Sequence, residues 1–179
     1  MRTKLRTFSN RDFDRGAPKW KEALWLLVQF FLVRSWLPGS RHRRVLLRWF
    51  GAIVGDRVVI KSGLRVKFPW RLEIANDVWL GQDVWIDNLA TVSIESDVCI
   101  SQGVYLCTGS HDWRLSTFPL ITRPIIVESG AWIGAHSCVA SGVRVGTQAI
   151  LALGSVATRD LRPGWISQGN PAIPIKLRS

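Results

Sequence analysis

The feature that most constrains this chain is a six-residue beat. Stepping by six from Val54 gives Val54, Ile60 and Val66; after two extra residues, Ile74, Leu80 and Ile86; after two more, Ile94, Ile100 and Leu106. A long interruption follows. The count resumes at Val127, Ile133 and Val139 and runs unshifted through Val145, Leu151 and Ala157, which makes fifteen hexads grouped in threes. Four residues after each starting aliphatic stands Val, Ala or Ser in twelve of the fifteen, the exceptions being Leu64, Trp70 and Leu161. Neither the 3.6-residue period of a helix nor the simple alternation of a half-buried strand fits this spacing. A large aliphatic and a small residue at fixed offsets fit a solenoid: three short strands form one triangular turn, and stacked turns bury a continuous core.

Three hexads per turn predict about five turns. The two-residue insertions before Ile74 and Ile94 and the long break before Val127 then all follow the third hexad of a turn, so they lie along one edge of the prism. A bulge at a corner leaves the inward slots in register. The long break is read as a loop of about fifteen extra residues leaving that edge, spanning residues 107–126. The residue just before each new hexad points outward, which sorts the surface into three columns. After the first hexad of each turn come Val59, Trp79, Cys99, Trp132 and Ile150; after the second, Arg65, Trp85, Tyr105, Cys138 and Val156. After the third, with the two-residue shifts ignored, come Arg71, Thr91, His111, Arg144 and Arg162, a polar and basic column with His111 at the root of the loop. Exposed tryptophan columns are a liability on a monomer, so at least one is expected to be covered by another subunit or by the N-terminal segment.

From about Val54 to the C-terminus the repeat resembles that of the hexapeptide-repeat acyltransferases. The resemblance implies a mainly β protein, a left-handed parallel β-helix, assembled as a homotrimer. The chain divides accordingly into an N-terminal arm with an apolar and basic helical segment (1–50), the β-helix (51–162) and a short C-terminal tail (163–179).

The N-terminal segment carries its own signal. "ALWLLVQFFLV", Ala23 to Val33, is an apolar run of 11 residues, well short of the roughly 20 that span a bilayer. Five arginines follow between Arg34 and Arg48, interleaved with Trp36 and Trp49. The segment is read as a helix, or two broken at Pro38-Gly39, either packed on the protein or lying on a membrane surface. The overall charge of +11 suits nucleic acid, anionic lipid or a phosphorylated ligand alike, but the basic residues cluster beside a tryptophan-rich helix and no nucleic-acid motif occurs. Three cysteines, Cys99, Cys107 and Cys138, form no CxxC pair. With a polar N-terminus lacking an apolar signal core, they lead to the expectation of a reducing, cytoplasmic location, at the inner face of the membrane if the helix lies there.

The phrase "YLCTGSHD", Tyr105 to Asp112, resembles the motif of acetyltransferases in colanic acid and related exopolysaccharide biosynthesis, as do "FGA" at Phe50 to Ala52 and "GNPA" at Gly169 to Ala172. The resemblance implies acetyl-CoA-dependent O-acetylation of a saccharide, soluble or lipid-linked, without a metal, with His111 as general base. An imidazole with an ordinary pKa near 6.5 is poised to take the proton of an attacking hydroxyl at neutral pH. Asn88 resembles the substrate-contacting asparagine of sugar acetyltransferases; Asp112 is read as loop structure or a substrate contact, or as the group that orients His111, although adjacent residues on an extended strand point to opposite faces. Ala135, Leu153, Thr158, Arg159 and Lys176 are the positions matching coenzyme A contacts, with Ile173 replacing one basic residue of the family pattern and Arg178 a substitute for it. Two other classes compete. A zinc β-helix needs three converging imidazoles, whereas His42 lies outside the repeat and no H-x4-H pair occurs. A non-catalytic scaffold would bind partners through its tryptophan columns, but gives no reason for a histidine at the root of a long corner loop.

Overall fold

The computed structural model describes residues 3–178. Three parallel sheets form the faces of a prism. On the first, Ile53, Glu73, Ser93, Ile126 and Arg144 are in register; on the second, Val59, Trp79, Cys99, Trp132 and Ile150; on the third, Arg65, Trp85, Tyr105, Cys138 and Val156. They are called below the Glu73, Trp79 and Tyr105 faces. The starting aliphatics of the hexads are buried along the axis, each with a second inward residue two positions earlier, as in Val58 and Ile60 or Val104 and Leu106. The core is thus a column of aliphatic layers, each layer sealing the one below.

Five full turns are present, as the hexads predict, and a sixth begins: Leu161 bridges Val145, and Trp165–Gly169 adds a parallel strand beside Ile150. The C-terminal segment is therefore structured. Ala172–Leu177 folds back on Trp165–Gly169 as an antiparallel hairpin that extends the Trp79 face. Arg178 donates to the carbonyls of Gly130 and Gln148, which removes it as a free substitute in a coenzyme site.

The third outward column needs correction. The insertions enter before the inward slot of the returning strand, so Leu72, Val92 and Ile125 fill it, while Trp70, Ala90 and Ser110 lie in the corner loops. The column on that face is accordingly Glu73, Ser93 and Ile126 above Ile53, not Arg71, Thr91 and His111. The backbone marks the same places. The residue three after the starting aliphatic adopts positive φ in eleven hexads, from Arg57 and Gly63 to Gln148 and Gly154. It is the corner residue, and the hexads without it are the last and the three interrupted ones. At Gly103 a Cβ would stand 2.5 Å from the His136 ring, so that corner admits only glycine.

A solenoid's first turn exposes a row of unpaired N–H and C=O groups, a template for aggregation. Here the N-terminal segment covers it. Helix α1 (Lys19–Val28) continues as a wider-wound turn through Gln29–Val33, and α2 (Arg41–Trp49) follows. Arg48 donates to the Val54 carbonyl, and Ser40 Oγ bonds the Ile60 N–H at 2.9 Å. On the third strand, Gln29 Oε1 accepts from the Val66 N–H, and Trp25 Nε1 donates to the Val66 carbonyl at 2.7 Å. Each edge of the first turn thus receives a side-chain partner, and Trp25, Leu47 and Phe50 continue the core above it. The helical segment packs on its own prism end and does not cover either tryptophan column. No helix among the described residues is long and apolar enough to cross a membrane.

Candidate active site

The corner insertion is a hairpin in which Gly109–His111 pairs with Leu120–Thr122, His111 opposite Leu120. Thr108 anchors its root. Its buried hydroxyl bonds the Asp87 carbonyl at 2.9 Å and the Ala90 N–H at 3.0 Å, and its carbonyl accepts from Arg123 N–H and from Ser141 Oγ at 2.7 Å. The hairpin is thereby tied to the turns below and above. Its tip is shaped by Asp112, which accepts from the Arg114 backbone N–H and pairs with its guanidinium at 2.9 and 3.1 Å. The arginine holds the Asp112 carboxyl below the usual range.

The imidazole of His111 is fixed from two sides. Its Nδ1 lies 2.9 Å from the Phe118 carbonyl, and its ring stacks on the Phe118 ring at 4.2 Å with planes 4° apart. A carbonyl only accepts, so Nδ1 carries the proton and, in the neutral ring, Nε2 keeps its lone pair. Phe118 holds this carbonyl in place with φ at +51°, a conformation that costs a bulky residue of order 1 kcal/mol or more. On the other side the Phe8 ring meets the imidazole edge-on at 5.5 Å. Phe8 belongs to an arm whose Lys4 N–H bonds the Ser116 carbonyl.

Two cavities meet at this ring. One of about 560 Å³ lies over the Tyr105 face, between hairpin and prism, and is lined by Cys107, His111, Asp112, Arg123 and Ser141 among others. The second, about 200 Å³, lies under the N-terminal arm and is lined by Phe8, Asn10, Phe13, Lys67 and Phe68 with His111. His111 is the residue common to both. The floor between them is stiffened by a polar chain: Tyr105 Oη donates to Asp87 at 3.1 Å, and Lys67 pairs with the other Asp87 oxygen at 3.3 Å. Burial, with Cys107 and Asp87 adjacent, pushes the Tyr105 phenol up, so it stays protonated and keeps donating.

Not every residue singled out from sequence reaches these cavities. Asp112 lines the larger one but takes no part in orienting His111; the Phe118 carbonyl does that. Asn88 is fully buried. Its Oδ1 accepts from Phe68 N–H, and its Nδ2 donates to the carbonyls of Phe68 and Arg71, which makes it a bracket for the first corner loop. Losing these bonds in Asn88→Leu should cost about 2–3 kcal/mol and lower the melting temperature by roughly 5–10 °C. A variant that melts like wild type but shows a raised KM for the acceptor would return Asn88 to the substrate. The positions expected from sequence to contact coenzyme A, Lys176 apart, fall on two edges of the Tyr105 face. Ala135 and Leu153 stack at one, joined by the Gly154 N–H to Ala135 carbonyl bond, while Thr158 and Arg159 stand on the edge that carries the hairpin. Lys176 is exposed on the C-terminal hairpin. None of the five lines either cavity.

Nothing in the hexad pattern or the motifs points to Phe118, Phe8, Arg123 or Ser141. Loss of the hexad beat announces a loop, but a backbone carbonyl and an arm packing from a hundred residues away leave no periodic mark. Among the described residues, no three His, Cys, Asp or Glu side chains group to hold a metal.

No protein-family profile matches the chain. It is 35% identical over 176 residues, 97% of this chain and 96% of the other, to a protein of Escherichia coli (strain K12) named as a colanic acid biosynthesis acetyltransferase, WcaF. Among solved structures, a hexapeptide-repeat-containing acetyltransferase of Vibrio cholerae complexed with acetyl-coenzyme A superposes with a TM-score of 0.81 at 21% identity, covering 90% of this chain and 88% of that one. A galactoside acetyltransferase in complex with coenzyme A gives 0.73 at 20% identity, covering 90% and 82%. These neighbours share the left-handed parallel β-helix. With its relative matched along nearly its whole length, this chain belongs to the hexapeptide-repeat acetyltransferase family that includes the colanic acid biosynthesis acetyltransferase WcaF.

Proposed function

We propose that this protein transfers an acetyl group from acetyl-CoA to a hydroxyl of a saccharide during exopolysaccharide assembly, with His111 as general base. The observation that carries the reading is the placement of one oriented imidazole between two cavities. The larger is assigned to the thioester and the smaller, with its phenylalanine walls and the polar groups of Asn10 and Lys67, to the sugar. The relative's part in colanic acid biosynthesis and the coenzyme seen in the neighbours support the two halves of the assignment.

Acetyl-CoA supplies an acyl group already activated as a thioester. His111 Nε2 takes the proton as the hydroxyl oxygen attacks the thioester carbon; the C–O bond forms, the C–S bond breaks, and the imidazolium returns the proton to the departing sulfur. Phe118 holds Nδ1–H, so the base stays in the reactive tautomer and the charge gained in the transition state is shared with a fixed dipole. Arg123 and Arg159 offer cations for the coenzyme phosphates, and the two edges carrying Ala135, Leu153, Thr158 and Arg159 flank the Tyr105 face on which the coenzyme would lie.

The family resemblance implies a homotrimer, in which a neighbouring subunit would lie against the prism beside the Tyr105 face. Trp79 and Trp132, each 46% exposed on the adjoining face, are the surface such a neighbour would cover. Trp132→Glu should weaken association by roughly 30-fold or more, as loss of a central aromatic anchor does, and lower activity with His111 intact. Analytical ultracentrifugation checks this; an active, fully assembled trimer of the variant would leave that face free. The location proposed is the cytoplasm, where the free cysteines Cys99, Cys107 and Cys138 stay reduced. The direct test of the reaction is saccharide-dependent release of the coenzyme thiol by purified protein. Release at the same rate without any saccharide would refute acceptor transfer.

A further inference from the structure

The cap that seals the first turn leaves its outer side bare. Nine large apolar side chains between Trp20 and Leu37 are exposed, with Leu27 at 59%, Phe31 at 65% and Trp36 at 80%. Helix α1 shows why. Trp25, Val28 and Val33 face the prism, while Trp20, Leu24, Leu27 and Phe31 recur at three- and four-residue steps on the opposite side. A helix apolar all round is normally buried, and here only half of it is.

What covers the outer half is indicated by charge. Residues 19–50 hold seven lysines and arginines against Glu22 alone, a net +6. Two of the arginines serve the fold: Arg43 is buried and donates to the carbonyls of Val33, Ser35, Leu37 and Gly39, and Arg48 holds Val54 and Gly55. Arg34, Arg41 and Arg44 form no ion pair among the described residues and follow the apolar run in sequence, Arg34 and Arg41 exposed and Arg44 half-buried. Two such caps brought face to face would set like charges against each other. An anionic bilayer surface offers the complement: headgroups for the arginines, acyl chains for Leu27 and Phe31, and an interfacial zone suited to Trp20 and Trp36.

We infer that the outer face of the N-terminal cap is a docking surface for anionic phospholipid membrane, on which the enzyme lies peripherally. The inference stands on the cap and not on the assignment of His111. Docked in this way, the enzyme would meet a lipid-linked saccharide in the plane where it is made.

Purified full-length protein should co-sediment with vesicles of phosphatidylcholine and phosphatidylglycerol at low salt, and far less with phosphatidylcholine alone. Changing Arg34, Arg41 and Arg44 together to Gln should weaken partitioning by about 100-fold, and Leu27→Asp with Phe31→Asp should abolish it. Brominated acyl chains should quench tryptophan emission of wild type and not of the aspartate variant. Thermal melts keep unfolding from passing as lost binding, and acetylation of a soluble saccharide by the same variants reads catalysis separately. Failure to bind anionic vesicles at low salt, or binding unaltered by either set of changes, would overturn the inference. So would a wild-type assembly whose mass halves when Leu27 and Phe31 become aspartate, since a second copy would then be the occupant.

Discussion

Replacing His111 with alanine should lower kcat by something like 10² to 10⁴, the usual worth of a positioned general base, and leave folding almost untouched. The reason for the second half lies in where the residue sits. His111 is on a corner hairpin outside the aliphatic column, half-buried, and the hairpin's root is tied down by Thr108 and Ser141. The Phe118 carbonyl loses its partner in the variant, but Phe118 is only half-buried, so water can take the partner's place. Activity of purified His111→Ala and wild type is compared at saturating acetyl-CoA, with circular dichroism as the folding control. A folded variant that keeps wild-type turnover would leave the two-cavity arrangement without its base.

The second large effect is on stability. Arg43→Met should destabilise the protein by about 3–5 kcal/mol, because it removes a buried cation that satisfies four backbone carbonyls in the bend between the helices. That bend carries Arg34 and Ser40, whose contacts close the edge of the first turn. The melting temperature should fall by roughly 10 °C or more, and the exposed strand edges should make the unfolding protein prone to aggregate. Arg41→Gln, two residues away on an exposed position, should melt like wild type. Equal melting of the Met and Gln variants would mean that the cap does not depend on this guanidinium.

The two arginines show where sequence stops speaking. Arg41 and Arg43 are interchangeable in any count of charge, and only the fold turns one inward to carbonyls that no side-chain pattern reveals. The repeat was legible for the opposite reason: every inward slot meets the same geometric demand, so its chemistry recurs every six residues. Loops meet no such demand. A six-residue count therefore puts the insertions two residues late, at Ile74 and Ile94, and sets His111 in a column that belongs to Ile126. The motif around His111 stands in the sequence as a resemblance, but what orients the ring leaves no mark there. Asp112 is its neighbour in sequence, yet the orienting partner is the carbonyl of Phe118, brought back by the hairpin. Asn88 shows the converse, a polar side chain whose three hydrogen bonds hold the Phe68 to Arg71 corner and whose burial the sequence does not announce.

The most direct test of the central claim is mass spectrometry of exopolysaccharide from cells lacking the gene and from the same cells given back wild-type protein or His111→Ala. The account predicts that acetyl esters disappear from one sugar position on deletion, return with wild type, and do not return with the alanine variant. Acetylation unchanged by the deletion, or restored in full by His111→Ala, would contradict it.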